Sequence, residues 1–213
     1  MLFRSLLDSL RRTVYSAPAA PLPALEMLVA EMLAIHFCSD REETVAVLEG
    51  LLTEAQSRVR QNQFVISAEA VRIFWVNPVA DLRAMNLLEE LGGRICGSDF
   101  MFTHALDLIP EDLPPMEALA RSALADPMVG PTTDRAARIV RECQANRAEA
   151  VVVSRIPGAS HCAREGEIIR EIVQQQIGIP TIELEIPPVC DAMLLTLGSR
   201  LQALVETARA RRL

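Results

Sequence analysis

The chain contains no lysine; all 21 of its basic residues are arginine. That excludes a Schiff-base or pyridoxal-phosphate anchor, and it excludes a Walker-type phosphate loop. Aromatic residues are scarce at 4%, with one tryptophan, Trp75, and one tyrosine, Tyr15, so a stacking platform for nucleic-acid bases is not expected. Positive charge is not in excess either. The 21 basic residues stand against 28 acidic ones, a net −7, which removes the electrostatic case for nucleic acid or anionic lipid as a partner. Long hydrophobic runs are also missing: none approaches the roughly 20 residues that a bilayer span needs. The N-terminal apolar positions are broken by Arg4, Asp8, Arg11 and Arg12, unlike a signal peptide. The five cysteines (Cys38, Cys96, Cys143, Cys162, Cys190) are dispersed and odd in number, with no CxxC pair. That argues against a zinc ribbon and against a secreted disulfide framework. The expected location is the cytoplasm.

Half of the residues are apolar, enough for a sizeable core. Residues 1–15 carry Leu2, Phe3, Leu6, Leu7 and Leu10 in an amphipathic pattern, and Ala17–Pro23 reads as an Ala/Pro linker. Leu25, Leu28, Val29, Met32 and Leu33 recur at helical spacing up to about Phe37. Ser39, three residues before Glu42, reads as the N-cap of a capping box. The helix it opens reaches about Arg58, with Val45, Leu48, Leu51, Leu52 and Ala55 on one face. These two helices read as an antiparallel pair. The expected division is a helical segment and linker over 1–66 and an α/β domain over 67–213.

From Val71 the pattern alternates between strand and helix. Strands are expected at 71–76, 94–96, 150–153 and 181–186. Helices are expected from Asp81 to Leu91, over 116–124, from Pro131 to about Asn146, over 165–177 and over 193–211. Val151-Val152-Val153 is wholly apolar, as in a central parallel strand covered on both faces. Thr181–Ile186 alternates, as in a half-exposed edge strand. This order predicts a flavodoxin-like α/β fold: a four-stranded parallel sheet in order 2-1-3-4, with helices on both faces and a helical segment before it. Its switch point lies between the first and third strands, where Asn77–Ala80 and Ser154–Arg164 meet. Ligands in such sheets bind outside the carboxyl ends of the strands at that point.

The Ser154–Arg164 loop is the most polar irregular stretch of the α/β unit. Cys162 stands just before a helix start, with Arg155, His161 and Arg164 close in sequence, an arrangement that favours a thiolate. The residues leave four roles open for Cys162: metal or cluster ligand, nucleophile, redox thiol, or an unspecialised thiol beside a helix cap. Asn77, Ser154, Arg155 and His161 are the accompanying candidates for a cofactor site. Asp99 and His104 follow the second strand and are placed to line the same cleft. Cys96 and Cys143 read as core thiols. No GxGxxG, nucleophile elbow or HExxH is present.

Several stretches, taken in order, resemble one family. They are Ile73-Phe74-Trp75-Val76-Asn77-Pro78, Leu87-Leu88-Glu89-Glu90-Leu91-Gly92-Gly93-Arg94, Ser98-Asp99-Phe100, Leu119-Ala120-Arg121, Val151-Val152-Val153-Ser154 with Cys162 downstream, Gly178-Ile179-Pro180-Thr181-Ile182-Glu183-Leu184-Glu185, and Ser199-Arg200-Leu201-Gln202-Ala203. Across residues 20–208 the chain resembles the 2-hydroxyacyl-CoA dehydratases and benzoyl-CoA reductases, the family of the 2-hydroxyglutaryl-CoA dehydratase D-component. The resemblance implies an oxygen-sensitive heteromer acting on acyl-CoA thioesters by one-electron chemistry, with homologous subunits and an ATP-dependent iron–sulfur activator as partners. It implies a [4Fe-4S] cluster held by cysteine thiolates, with Cys162 as this chain's ligand. In the family an N-terminal α/β domain supplies the other cysteines, and the resemblance begins about where that domain ends. A shared cluster completed by a partner is therefore one expectation. The alternative is a non-catalytic interaction subunit of the same ancestry. A flavodoxin-like nucleotide or flavin binder follows from fold analogy alone.

Overall fold

The computed structural model describes residues 2–36, 39–159 and 164–212, Leu2 by its backbone alone. Val71–Val76 forms β1, at the centre of the protein because nearly every position in it is apolar and buried. Gly93–Asp99 (β2) flanks it on one side. Ala150–Arg155 (β3) lies on the other side, with Thr181–Glu185 (β4) beyond, all parallel, in the order β2-β1-β3-β4. This is the expected order, and β4 is the half-exposed edge.

Strand alternation sends apolar side chains to both faces of the sheet. On one face Ile73, Trp75, Val152 and Leu184 pack against Arg83–Glu90 (α4) and Leu194–Ala210 (α8), through Ala84, Met85, Leu88, Leu201 and Leu204. On the other, Phe74, Val76, Val151 and Val153 meet Thr132–Ala145 (α6) and Glu165–Ile177 (α7), through Ala136, Ile139, Ile169 and Val173. Each such buried side chain contributes on the order of 1.5–3 kcal/mol. The helix Pro115–Leu124 (α5) lies mostly exposed and buries only Ala118. Gly178 closes α7 at a positive φ of 66°, where a side chain would be strained.

Before the sheet come Leu2–Ser16 (α1), Ala24–His36 (α2) and Arg41–Arg60 (α3). They share a core of Leu7, Leu10, Val14, Met27, Ala30, Leu48 and Ala55. Three details differ from the sequence reading. First, α3 packs chiefly along α1 and touches α2 less. Second, its N-cap is Asp40, whose side chain accepts from the Glu43 backbone N–H, not Ser39; the carboxylate also complements the helix dipole. Third, Ala17–Pro23 does not run free as a spacer. Ala17, Ala19, Ala20 and Leu22 are buried, and Ala20 pairs antiparallel with Ile66.

Two arginines of the sheet hold this segment down. Arg94, 1% exposed, donates to the carbonyls of Val14 (2.9 Å), Ala17 (3.0 Å) and Pro18 (3.1 Å). Arg72 donates to Tyr15 O at 2.7 Å. Helix ends leave carbonyls without intrahelical partners, and these guanidinium groups satisfy those at the end of α1. Burial, and then the neighbouring charge of Arg72, lowers the Arg94 pKa to about 10, so it remains charged at neutral pH.

Candidate functional site

β2 is longer than its sequence suggests, and the extra length places a carboxylate in the core. The ladder to β1 shifts by one residue between Ile73 and Phe74, so that Ile73 pairs with Ile95 and Phe74 with Gly97. Cys96 is the bulged residue. Gly97-Ser98-Asp99 reads as turn chemistry, yet it continues the strand beyond this bulge. A Cβ at Gly97 would lie 2.8 Å from both the Phe74 ring and Asn146, so any larger residue forces those side chains to shift. Asp99 thus finishes opposite Val76, 4% exposed.

Directly after β1, Asn77 takes a positive φ of 69°. This left-handed conformation is uncommon outside glycine, but asparagine tolerates it. It bends the chain so that the Asn77 N–H donates to Asp99 O at 3.0 Å. Its amide Nδ2 donates to Ser154 O at 3.0 Å, and its Oδ1 accepts from Arg135 at 2.7 Å. Ser154, fully buried, accepts from Trp75 Nε1 at 3.0 Å. Its hydroxyl is shared among the carbonyls of Val76, Asn77 and Pro78 at 2.9–3.1 Å. Asn77 and Ser154 therefore meet at the switch point between β1 and β3, as the sequence reading placed them.

At the centre is Arg135, 1% exposed, near the start of α6. Its Nε donates to Asp99 Oδ2 at 2.9 Å, and its Nη1 forms a short contact with Glu165 at the start of α7. Asp99 meets His104 Nε2 through its other oxygen at 2.6 Å. His104 Nδ1 faces Asp107 at 3.5 Å, and Asp107 accepts from Arg138 at 2.7 Å. Burial opposes charge on Asp99, His104 and Asp107, and the pairing outweighs it. Hydrogen bonds with Asp107 and Asp99 raise the His104 pKa above its ordinary value. The His104 hydrogen bond and the Arg135 charge lower that of Asp99. The result is a chain of alternating charge, running from the buried Arg135 and Asp99 to the partly exposed Asp107 and Arg138, in which each member named above has a partner. It clamps both stems of the loop between β3 and α7: Ser154 on one side, Glu165 on the other.

Of the remaining sequence candidates that lie among the described residues, Arg155 separates from this network. Arg155 points outward by strand alternation and pairs across the ladder with Glu185 at 2.5 Å. Its guanidinium is engaged there rather than with Asn77 or Ser154. His161, Cys162 and Cys38 lie outside the described residues. Asp99 and His104 are joined by a hydrogen bond at 2.6 Å. Arg135 was missed, although a signal existed: it occupies the helical stripe of Ala136, Ile139, Val140 and Cys143, where a charge is out of place.

An apolar groove of about 540 Å³ opens beside this network, lined by Leu28, Val29, Met32, Leu33, Pro78, Val79, Leu82, Phe100 and Phe102. Pro78 and Phe100 belong to both regions, since they follow Asn77 and Asp99. The helical stripe Leu28, Val29, Met32, Leu33 faces this groove, and the opposite side of α2 (Met27, Ala30, Ala34) meets the helical core.

A family model described as 2-hydroxyglutaryl-CoA dehydratase, D-component, matches residues 3–207. The chain belongs to that family. A comparison with curated proteins yields no match. Membership makes this a 2-hydroxyacyl-CoA dehydratase-type subunit, and it implies a heteromeric complex with other dehydratase subunits and an acyl-CoA substrate.

The described residues do not by themselves fit an iron–sulfur cluster. Among them no three His, Cys, Asp or Glu side chains converge on a metal position. Cys96, Cys143 and Cys190 are buried and form no disulfide. Burial pushes the Cys96 thiol up to about 11 and raises Cys143 as well. Cys190 is raised by burial and by donating to Asp81 at 3.0 Å. These thiols are held as neutral packing groups, whereas cluster ligands are thiolates. Among the described residues, no helix is long and apolar enough to cross a membrane.

Proposed function

We propose that this chain is a subunit of a 2-hydroxyacyl-CoA dehydratase or benzoyl-CoA-type reductase complex that acts on acyl-CoA thioesters by one-electron chemistry. The observation that carries the reading is the family match over residues 3–207. In this reading the Asn77–Arg135–Asp99–Ser154 network is a fixed platform. It holds the stems of the loop whose sequence contains His161 and Cys162, and Cys162 is this chain's ligand to a [4Fe-4S] cluster completed by a homologous subunit. An ATP-dependent iron–sulfur activator supplies the electrons. The assembly works in the reducing cytoplasm, in keeping with the unpaired state of the three described cysteines. The α/β unit from residue 67 onward presents the site, and residues 1–66 brace it.

Anaerobic co-expression with the products of adjacent genes, followed by iron and sulfide analysis, tests this reading. It expects a heteromer containing iron and sulfide, with both lowered in Cys162→Ala. A lone monomer without iron would contradict it.

A second reading, a non-catalytic subunit of the same ancestry, is favoured by the placement of Cys96, Cys143 and Cys190 in packed interior positions. It expects Cys162→Ala to leave assembly and activity intact.

A further inference from the structure

α2 is apolar around most of its circumference, and such a helix is stable in water when all its faces are covered. Here one face is covered and one is not. Val29 remains 58% exposed, and Leu82 opposite is 40% exposed. Between them lies the 540 Å³ groove, within the range of small-molecule pockets. Phe100 and Phe102 form one wall, ring centroids 5.7 Å apart. Pro78 forms another, and its carbonyl accepts from Ser154 at 2.9 Å. The groove therefore abuts the carboxyl ends of β1 and β2, next to the switch point between β1 and β3 that Ser154 marks.

Its lining decides what it accepts. All nine residues are apolar, and none carries an ionisable group. Arg83, next to Leu82 in sequence, is already held by Asp81 at 2.6 Å and Asp191 at 2.6 Å. The Arg135 guanidinium is 1% exposed and spent on Asp99, Asn77 and Glu165. A glutaryl group, as in the family's description, carries a second carboxylate. In this groove, among the described residues, that carboxylate would lose its water without gaining a cation, which is strongly unfavourable.

We propose that the groove binds the acyl portion of the thioester, and that this acyl portion is uncharged and apolar, not a dicarboxylate. The proposal rests on the acyl-CoA reading above and narrows its substrate class. It also accounts for the exposure of Val29, an apolar side chain left open to solvent on the groove face of α2.

Isothermal titration of the full chain with hexanoyl-CoA, glutaryl-CoA and free CoA tests it. Hexanoyl-CoA should bind at least about tenfold more tightly than the other two, the scale by which apolar pockets discriminate. Leu82→Asp and, separately, Val29→Asp should abolish that preference; both positions are partly exposed, so the fold tolerates the change. Leu124→Asp, on the exposed helix α5 at 72% exposure, should change nothing. If glutaryl-CoA binds as tightly as hexanoyl-CoA, or if both groove variants bind hexanoyl-CoA like the parent, the groove assignment is overturned and the acyl-CoA reading stands. If no thioester binds at all, the acyl-CoA reading of this chain falls with it.

Discussion

Two regions share the carboxyl edge of the sheet, and they have opposite chemistry. On one side Asn77, Asp99, Arg135, Ser154 and His104 form a buried polar chain whose members satisfy one another. On the other, α2 and the segments after β1 and β2 leave an apolar surface open. Buried polar groups are costly unless paired, so the first region is rigid and its named groups are spent on each other. An exposed apolar concavity is costly until something fills it, so the second is available. The contrast suggests a division of labour: the polar side fixes the position of the loop stems, and the apolar side binds.

The sharpest way to break that contrast is Arg135→Ala. It strands Asp99 and Asn77 in the interior and releases Glu165, and removing one partner of a buried ion pair typically costs about 3–5 kcal/mol. Urea unfolding measures this directly. A loss below about 1 kcal/mol would mean that the network is not what holds the strand ends together. Next is Ser154→Ala, which leaves Trp75 Nε1 and the Asn77–Pro78 carbonyls without their hydroxyl. The expected loss is about 1–3 kcal/mol, with a change in Trp75 emission as an independent signal.

The pH dependence of stability refines the polar side. His104 has a raised pKa when folded. Its contribution is complete below the ordinary imidazole value near 6.5 and is lost as pH rises through its folded value. Asp99 and Asp107 have lowered pKa values. Their contributions are present above the ordinary carboxylate value near 3.9 and are lost as pH falls through their folded values. Unfolding measured on the alkaline side of about pH 6.5 should show stability declining in the parent, and His104→Gln should flatten that decline. The smallest effect belongs to the apolar side. Leu82→Asp removes no satisfied partner and should shift stability by no more than about 0.5 kcal/mol.

Much of the architecture was legible from sequence. The apolar run Val151–Val153 marked a central strand, the alternation at Thr181–Ile186 marked an edge, and right-handed crossovers left one simple order, which the sheet adopts. What escaped had physical reasons. β2 appeared to end at Cys96 because Gly97-Ser98-Asp99 has turn chemistry, and the bulge that carries it onward depends on contact with Phe74. Ala17–Pro23 looked like a spacer because small residues and prolines carry no periodicity; its burial depends on Arg94, more than seventy residues away.

The site was legible in part. The topology placed Asn77 and Ser154 where strands end at the switch point, and they meet there. Arg155 follows Ser154 directly, but strand alternation turns consecutive side chains to opposite faces, and its guanidinium pairs with Glu185. Arg135 lay hidden inside a helix whose other stripe residues suit a core. The groove was visible only as an apolar stripe on α2, and periodicity says which side chains share a face without saying what covers it.

The division between a fixed polar half and a binding apolar half is tested most directly by measuring two quantities on the same two variants: unfolding free energy and hexanoyl-CoA affinity. The account predicts that Leu82→Asp keeps the parent's stability and loses at least about tenfold in affinity, while Arg135→Ala loses at least about 3 kcal/mol of stability. A Leu82→Asp protein that binds hexanoyl-CoA like the parent, or an Arg135→Ala protein as stable as the parent, would contradict it.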